Sequence, residues 1–185
     1  EEEVLPGDSV CPGLILRNSE VGAGAVTVEP YAVRKMCMNG AITGDALRKI
    51  HLGEELALGE VLSPETRAHV HAALYGSVRD VIRSVLVAEN FRETVKRMRE
   101  AAGLKLGDKP IETVEMAAEV YFLNDTERQS ILTEYLGGKD FTAWGLANAF
   151  TAAAKDLDAD RSTDFERIGG ALMTEKKKME ALVVA

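Results

Sequence analysis

The sequence predicts an α+β fold: a small antiparallel N-terminal sheet of hairpins with a long helix, followed by a C-terminal bundle of three to four helices. Three observations carry this expectation. Aliphatic and β-branched runs bounded by glycine occupy the first fifty residues, helix-start signals and helical periodicity take over at Ser63, and aromatic residues are sparse at 5%. Leu, Val, Ile, Ala and Met must therefore fill the interior, and the alanine content favours closely packed helices. At 185 residues and 46% apolar, the chain can build one core, or a core with a helical appendage. The expected division is 1–103 and 104–185, with the loop around Gly103–Pro110 as boundary and one continuous domain as the alternative.

Taken in order, residues 13–29 read as a hairpin. Gly13-Leu14-Ile15-Leu16 opens one strand, Ala25-Val26-Thr27-Val28 forms its partner, and Gly22-Ala23-Gly24 supplies the turn. Pro30 to Asn39 fits a short helix stopped by Gly40, or a strand with Tyr31, Val33 and Cys37 on one face. Ala41-Ile42-Thr43, a Gly44-Asp45 turn and Leu47 to Leu52 suggest a second, weaker hairpin. Ser63 caps and Pro64 starts a helical stretch from about Glu65 to Ala102. Its apolar stripe rotates along its length, so it is either one bent helix or two, with a break near Glu89-Asn90. Further helices are expected at Pro110–Tyr121, Thr126–Leu136 stopped by Gly137-Gly138, Phe141–Leu157, and Thr163–Leu182 weakened by Gly169-Gly170.

Composition narrows the function classes. A net charge of −8 repels nucleic acid and anionic membrane unless a local basic patch exists. Two cysteines, Cys11 and Cys37, are too few for a disulfide scaffold and read as reduced thiols in a cytosol. No apolar run approaches the roughly 20 residues of a membrane span. The Glu1-Glu2-Glu3 start, without Met, reads as a fragment or a processed product.

The motifs of common chemistries are missing or broken. Asp156, Asp158, Asp160, Ser162 and Asp164 imitate a calcium loop, but Arg161 and Arg167 stand where glycine and the bidentate glutamate belong. Asp156–Asp164 therefore reads as an acidic turn, with Ser162 or Asp164 capping the last helix. His69 and His71 point apart on a helix and cannot share a metal. There is no P-loop and no nucleophile elbow, so catalysis and cofactors are not expected. The basic residues do cluster. Arg34, Lys35, Arg48, Lys49 and His51 lie in the β-rich part, while Arg79, Arg83 and Arg97 share one side of the long helical stretch. Arg92, Lys96 and Arg99 form another side, interleaved with Glu89, Glu93 and Glu100. A groove between the sheet and that helix would suit a phosphate backbone.

Several segments in order carry a family resemblance. Arg17-Asn18-Ser19-Glu20-Val21-Gly22, Arg34 ahead of Cys37-Met38-Asn39-Gly40, then His51 and Gly53, resemble the phage/plasmid-like proteins of domain of unknown function 932. Thr142-Ala143-Trp144-Gly145-Leu146-Ala147-Asn148-Ala149-Phe150-Thr151 looks like that family's closing helix, so the likeness covers roughly residues 13–155. The resemblance implies a phage, prophage or plasmid origin in a bacterial cytoplasm. It also implies a fainter likeness to single-strand annealing proteins, which cross a hairpin-rich sheet with a long helix, form rings and bind single-stranded DNA.

The first functional expectation is thus a non-catalytic, oligomeric, single-stranded-DNA-binding protein using Arg34, Lys35, Arg48, Lys49, His51, Arg79, Arg83 and Arg97. The alternative is a self-assembling or protein-interaction domain with no nucleic-acid role. A helix-turn-helix over 126–136 and 141–157 is a further reading, although Asn148 and Thr151 are almost its only base-reading side chains.

Overall fold

The computed structural model describes residues 1–17, 26–44, 49–50 and 62–183. Its N-terminal part is an antiparallel sheet in the order β1 (Glu2–Leu5), β2 (Asp8–Arg17), β3 (Val26–Arg34), β4 (Asn39–Ile42). A two-residue β5 (Lys49–Ile50) pairs with the start of β3. The expected β2–β3 hairpin is present, with Leu14 opposite Pro30 and Leu16 opposite Val28; its glycine turn lies outside the described residues.

The structure adds to the expectations in this region and decides between two of them. β1 and the first residues of β2 were not anticipated, although Pro6-Gly7 marks the turn between them and Gly7 has a φ of 78°. Of the two readings of Pro30–Asn39, the strand holds for Pro30–Arg34, which lie in β3, and Pro30 starts no helix. Its carbonyl accepts from the Thr43 N–H, and its missing donor falls where the ladder to β4 has ended. Among the described residues β4 and β5 each pair with β3, and the rest of the expected second hairpin, 45–48 and 51–52, lies outside the described residues.

The helical stretch is two helices, α1 (Pro64–Val85) and α2 (Ala88–Gly103). Ser63 caps α1 by accepting from the Thr66 N–H. The break falls at Leu86-Val87, where Val87 turns extended and the Asn90 side chain donates to the Ser84 carbonyl. Then come α3 (Pro110–Tyr121), α4 (Asp125–Gly138), α5 (Ala143–Ala153), α6 (Ala159–Thr174) and a short α7 (Lys176–Glu180). Asn124 and Glu127 build a reciprocal capping box at the start of α4. Gly137-Gly138 does not stop α4, which runs through both and ends at Lys139 in the left-handed region, φ 53°. Asp158, rather than Ser162 or Asp164, caps α6. Gly169-Gly170 leaves α6 unbroken; the last segment divides instead at Glu175, which is why five helices follow α2.

α5 is the axis of the helical part. Every residue of it except Gly145 and Ala152 is buried, as an all-round apolar helix requires. It packs on α4, α6 and α2, while α6 rests on β4 and α2 on β1. A single hydrophobic cluster runs from Val4, Val10, Ala32 and Ala41 in the sheet through Val95 and Met98 to Trp144, Phe150, Phe165 and Leu172. Sheet and helices therefore share one core. Gly170 makes the closest approach: a Cβ there would lie 1.8 Å from the Ile42 carbonyl oxygen.

Charged side chains join distant elements. Glu29, 1% exposed, takes Arg17 from β2 and Arg167 from α6, and Arg17 also donates to Thr163. Glu127 accepts two bonds from Arg161 at 2.7 and 2.9 Å, tying α4 to α6. The Arg161 guanidinium holds the Glu127 carboxyl below its usual value of 4.5. That contribution to stability is present above the usual carboxylate range and fades as pH falls through the lowered value.

Candidate functional site

The structure places five of the eight side chains expected to meet DNA, and three of these carry ion pairs. Arg34, at the end of β3, donates through Nε to both oxygens of buried Asp8 at 2.8 and 2.9 Å. Its guanidinium lies 5.6 Å from the Trp144 ring centre, and Trp144 Nε1 donates to the same carboxylate. Arg34 is thus a tie between the sheet and α5. Lys35 pairs with Glu1 at 3.0 Å, and Arg79 with its neighbour Asp80 at 3.4 Å. Arg83 and Arg97 are exposed and form no ion pair with a described residue. Lys49 lies in β5, whereas Arg48 and His51 fall outside the described residues.

The helical cations of the other side meet the strand that the sequence reading left out. β1 packs on α2, where Arg92 reaches Glu2 at 3.4 Å and Arg99 donates to the Glu3 carbonyl at 2.6 and 2.9 Å. Glu1 and Glu2 thus pair with Lys35 from the sheet and with Arg92 and Arg99 from α2. The acidic strand occupies the place where the sheet-to-helix groove was expected.

A different concavity is better built. A cleft of about 680 Å³ opens between the turn after β3, the end of α4 and the exposed edge of α5. Arg34, Cys37 and Asn39 come from the end of β3, the turn after it and the start of β4, Thr133–Tyr135 with Gly137 and Gly138 from α4, and Gly145, Asn148 and Ala152 from α5, with Lys155 and Asp156 just beyond. The Arg34–Gly40 and Thr142–Thr151 segments, distant in sequence, meet at its wall. Gly145 shapes the rim, since a Cβ there would lie 1.8 Å from the Asp140 carbonyl oxygen.

The polar inventory of this wall is unbalanced. Among the described residues, four buried side-chain atoms have no hydrogen-bond partner, and three belong to cleft residues: Asn39 Oδ1, Tyr135 OH and Asn148 Oδ1. Asn148 donates one Nδ2 hydrogen to the Trp144 carbonyl at 2.8 Å, while its Oδ1 has no donor. Tyr135 is 1% exposed, and burial, with Asp140 nearby, pushes its phenol upward, so it stays protonated at any ordinary pH. Unpaired buried groups of this kind each cost about 1–3 kcal/mol and are rare in folded proteins. The cations of the wall are engaged: Arg34 with Asp8, and Lys155 with the Cys37 carbonyl at 2.9 Å.

Sequence reasoning named Asn148 as a base-reading side chain and Asn39 as part of a motif, but did not bring them together with Tyr135. Asn148 did carry a signal, being a polar residue on a helix apolar on every side. Tyr135 carried no signal in the sequence. Among the described residues no group of three or more His, Cys, Asp and Glu could hold a metal ion, and no helix is long and apolar enough to cross a membrane. His69 and His71 are exposed on α1.

Fold and cleft together define an α+β domain in which a four-strand sheet and a helical bundle share one core and wall a polar cleft. Comparison with protein-family models, curated proteins and solved structures finds no match to this chain.

Proposed function

We propose that this chain is a self-associating protein-interaction domain and that α1 is the element through which copies meet. The observation that carries this reading is the exposure of α1. The helix is 22 residues long, about 33 Å at the α-helical rise. Every residue from 64 to 73 is exposed, including Val70 at 52%, and so is Tyr75 at 70%. Only its second half, through Val78, Ile82 and Val85, is partly covered. Helices in proteins draw most of their stability from a packed face, and the first half of α1 packs on nothing within the described chain.

Charge favours a second copy as the partner. The molecule carries a net charge of −8, so most of its surface repels another copy. α1 holds two acids, Glu65 and Asp80, against Arg67, Arg79 and Arg83. It is therefore the arm that a second acidic molecule approaches most easily.

Light scattering on the full chain is expected to give an oligomer whose mass falls to that of a monomer in the Val70→Glu, Tyr75→Glu double variant. Both positions are exposed, so the thermal transition of the shared core should hardly move. A wild-type chain that stays monomeric at high concentration overturns the reading, as does an oligomer indifferent to both substitutions.

Single-strand binding is the second reading, and it rests on Arg83 and Arg97, the two exposed arginines of the expected set that lack a carboxylate partner among the described residues. Its test is fluorescence anisotropy with single-stranded oligonucleotides at low salt. Binding that weakens steeply with salt and disappears in the Arg83→Glu, Arg97→Glu variant supports it.

A further inference from the structure

α1 runs at its C-terminal end into an open groove. This hollow, about 340 Å³, lies between the sheet and the α1–α2 break, and its walls include Pro12, Pro30, Tyr31, Val85, Phe91 and Thr94. We infer that two copies form a two-fold dimer by exchanging arms, an inference that rests on α1 as the contact element and adds the surface that receives it. The bare first half of each α1 lies along the other copy's groove, with Arg67 against the partner's Glu93.

Continuity of the apolar surface favours this arrangement. Val70, Val78, Ile82 and Val85 fall within about 120° of one face of α1. Val78, Ile82 and Val85 are partly covered, and Val85 is itself a wall of the groove. Val70, on the same face, is 52% exposed. One apolar strip therefore leaves the groove and continues along a helix whose far half meets nothing among the described residues.

Reach excludes the same molecule as the occupant. At the α-helical rise, a straight helix holds Val70 about 22 Å from Val85, so no copy fills its groove with its own arm. A two-fold axis beside the middle of α1 brings each arm to the other copy's groove and makes every contact twice.

Charge fits the same pairing. Glu89 and Glu93 stand on α2 beside the groove residues Asn90 and Thr94. Their ion pairs, to Arg92 at 3.7 Å and Lys96 at 3.9 Å, are long and exposed. Arg67 precedes Val70 by one turn on the same face, is exposed, and forms no ion pair with a described residue. A net charge of −8 opposes most contacts between copies, whereas this one sets a cation on an acidic rim.

The test is analytical ultracentrifugation of the full chain and its variants, alone and mixed. The wild type is expected to sediment as a dimer. Arg67→Glu and Glu93→Arg should each weaken it about tenfold, since each sets like charges together at both symmetry-related contacts. An equimolar mixture of the two variants is expected to recover wild-type affinity, because in the mixed dimer each arm meets a rim of opposite charge. Thr94→Arg, at a half-buried position, should fill the groove and give monomers with α1 intact. Both charge variants alter exposed positions, so the mixing result decides the matter if Thr94→Arg fails to fold. A dimer that the Val70→Glu, Tyr75→Glu variant dissociates, but that ignores Thr94→Arg and shows no recovery on mixing, overturns the groove while leaving α1 as the contact. Assemblies larger than a dimer overturn the reciprocal exchange. A monomeric wild type overturns the exchange together with the reading beneath it.

Discussion

Replacing Gly170 with alanine is expected to destabilise the protein by about 3 kcal/mol, the upper end of the usual cost of overpacking. The added methyl would sit 1.8 Å from the Ile42 carbonyl oxygen and 2.6 Å from its carbon. Both belong to the backbone of β4, so no side-chain rotation relieves the clash. Either α6 lifts from the sheet or β4 is pushed out of its ladder with β3. Because sheet and bundle share one core, the damage should appear as a single cooperative loss in urea unfolding. Gly76 is the internal control. A Cβ on this α1 glycine meets nothing within 4 Å, so Gly76→Ala should stabilise by about 0.5–1 kcal/mol through helix propensity. Equal effects at the two positions would show that α6 does not touch β4 as described.

The second large effect concerns Glu29. This carboxylate is 1% exposed and is held by Arg17 and Arg167, which are themselves 34% and 48% exposed. Replacing both arginines with methionine leaves a buried charge without a partner, and a loss of about 3–5 kcal/mol is expected. Replacing Glu29 with methionine in the same chain removes that charge and should restore much of the stability, since an ion pair and an apolar trio of similar size differ little. Urea midpoints would show the triple variant more stable than the double. A triple variant as unstable as the double would mean that the arginines act through packing or through the Thr163 contact rather than through Glu29.

Local signals in the sequence proved reliable where the controlling forces are local. Ser63-Pro64, the Asn124-to-Glu127 box and Pro110 each start a helix by satisfying or removing end donors, and each can be read within four residues. The α+β class followed from the same kind of evidence, with alternation and glycine turns first and 3.6-residue periodicity afterwards. Where a glycine pair was taken as punctuation the reading failed for a tertiary reason, and where Pro30 left helix and strand open a tertiary reason decided for the strand. Gly169-Gly170 looks like a helix weakness, but its bare backbone lets α6 reach β4 and Thr151. Pro30 looks like a helix start, but it fits β3 because it faces the point where β4 ends.

The expected binding residues show the same division. Sequence could count Arg34 and Lys35 as basic, but not find the carboxylates that meet them. Asp8 lies 26 residues from Arg34, at the start of β2, and Glu1 lies 34 from Lys35, just ahead of β1. The cleft was equally invisible, because Asn39, Tyr135 and Asn148 come from three elements and become unusual only when folding buries their oxygens without donors.

By itself the chain determined its class, the starts of α1, α3 and α4 to within a residue or two, and its acidic character, all set by composition and by interactions between near neighbours. Folding alone decided which charges cancel, which helix is left bare and where a polar cleft forms. Those outcomes depend on desolvation and pairing between residues a hundred or more positions apart, such as Asp8 with Trp144, and no window of sequence contains both partners.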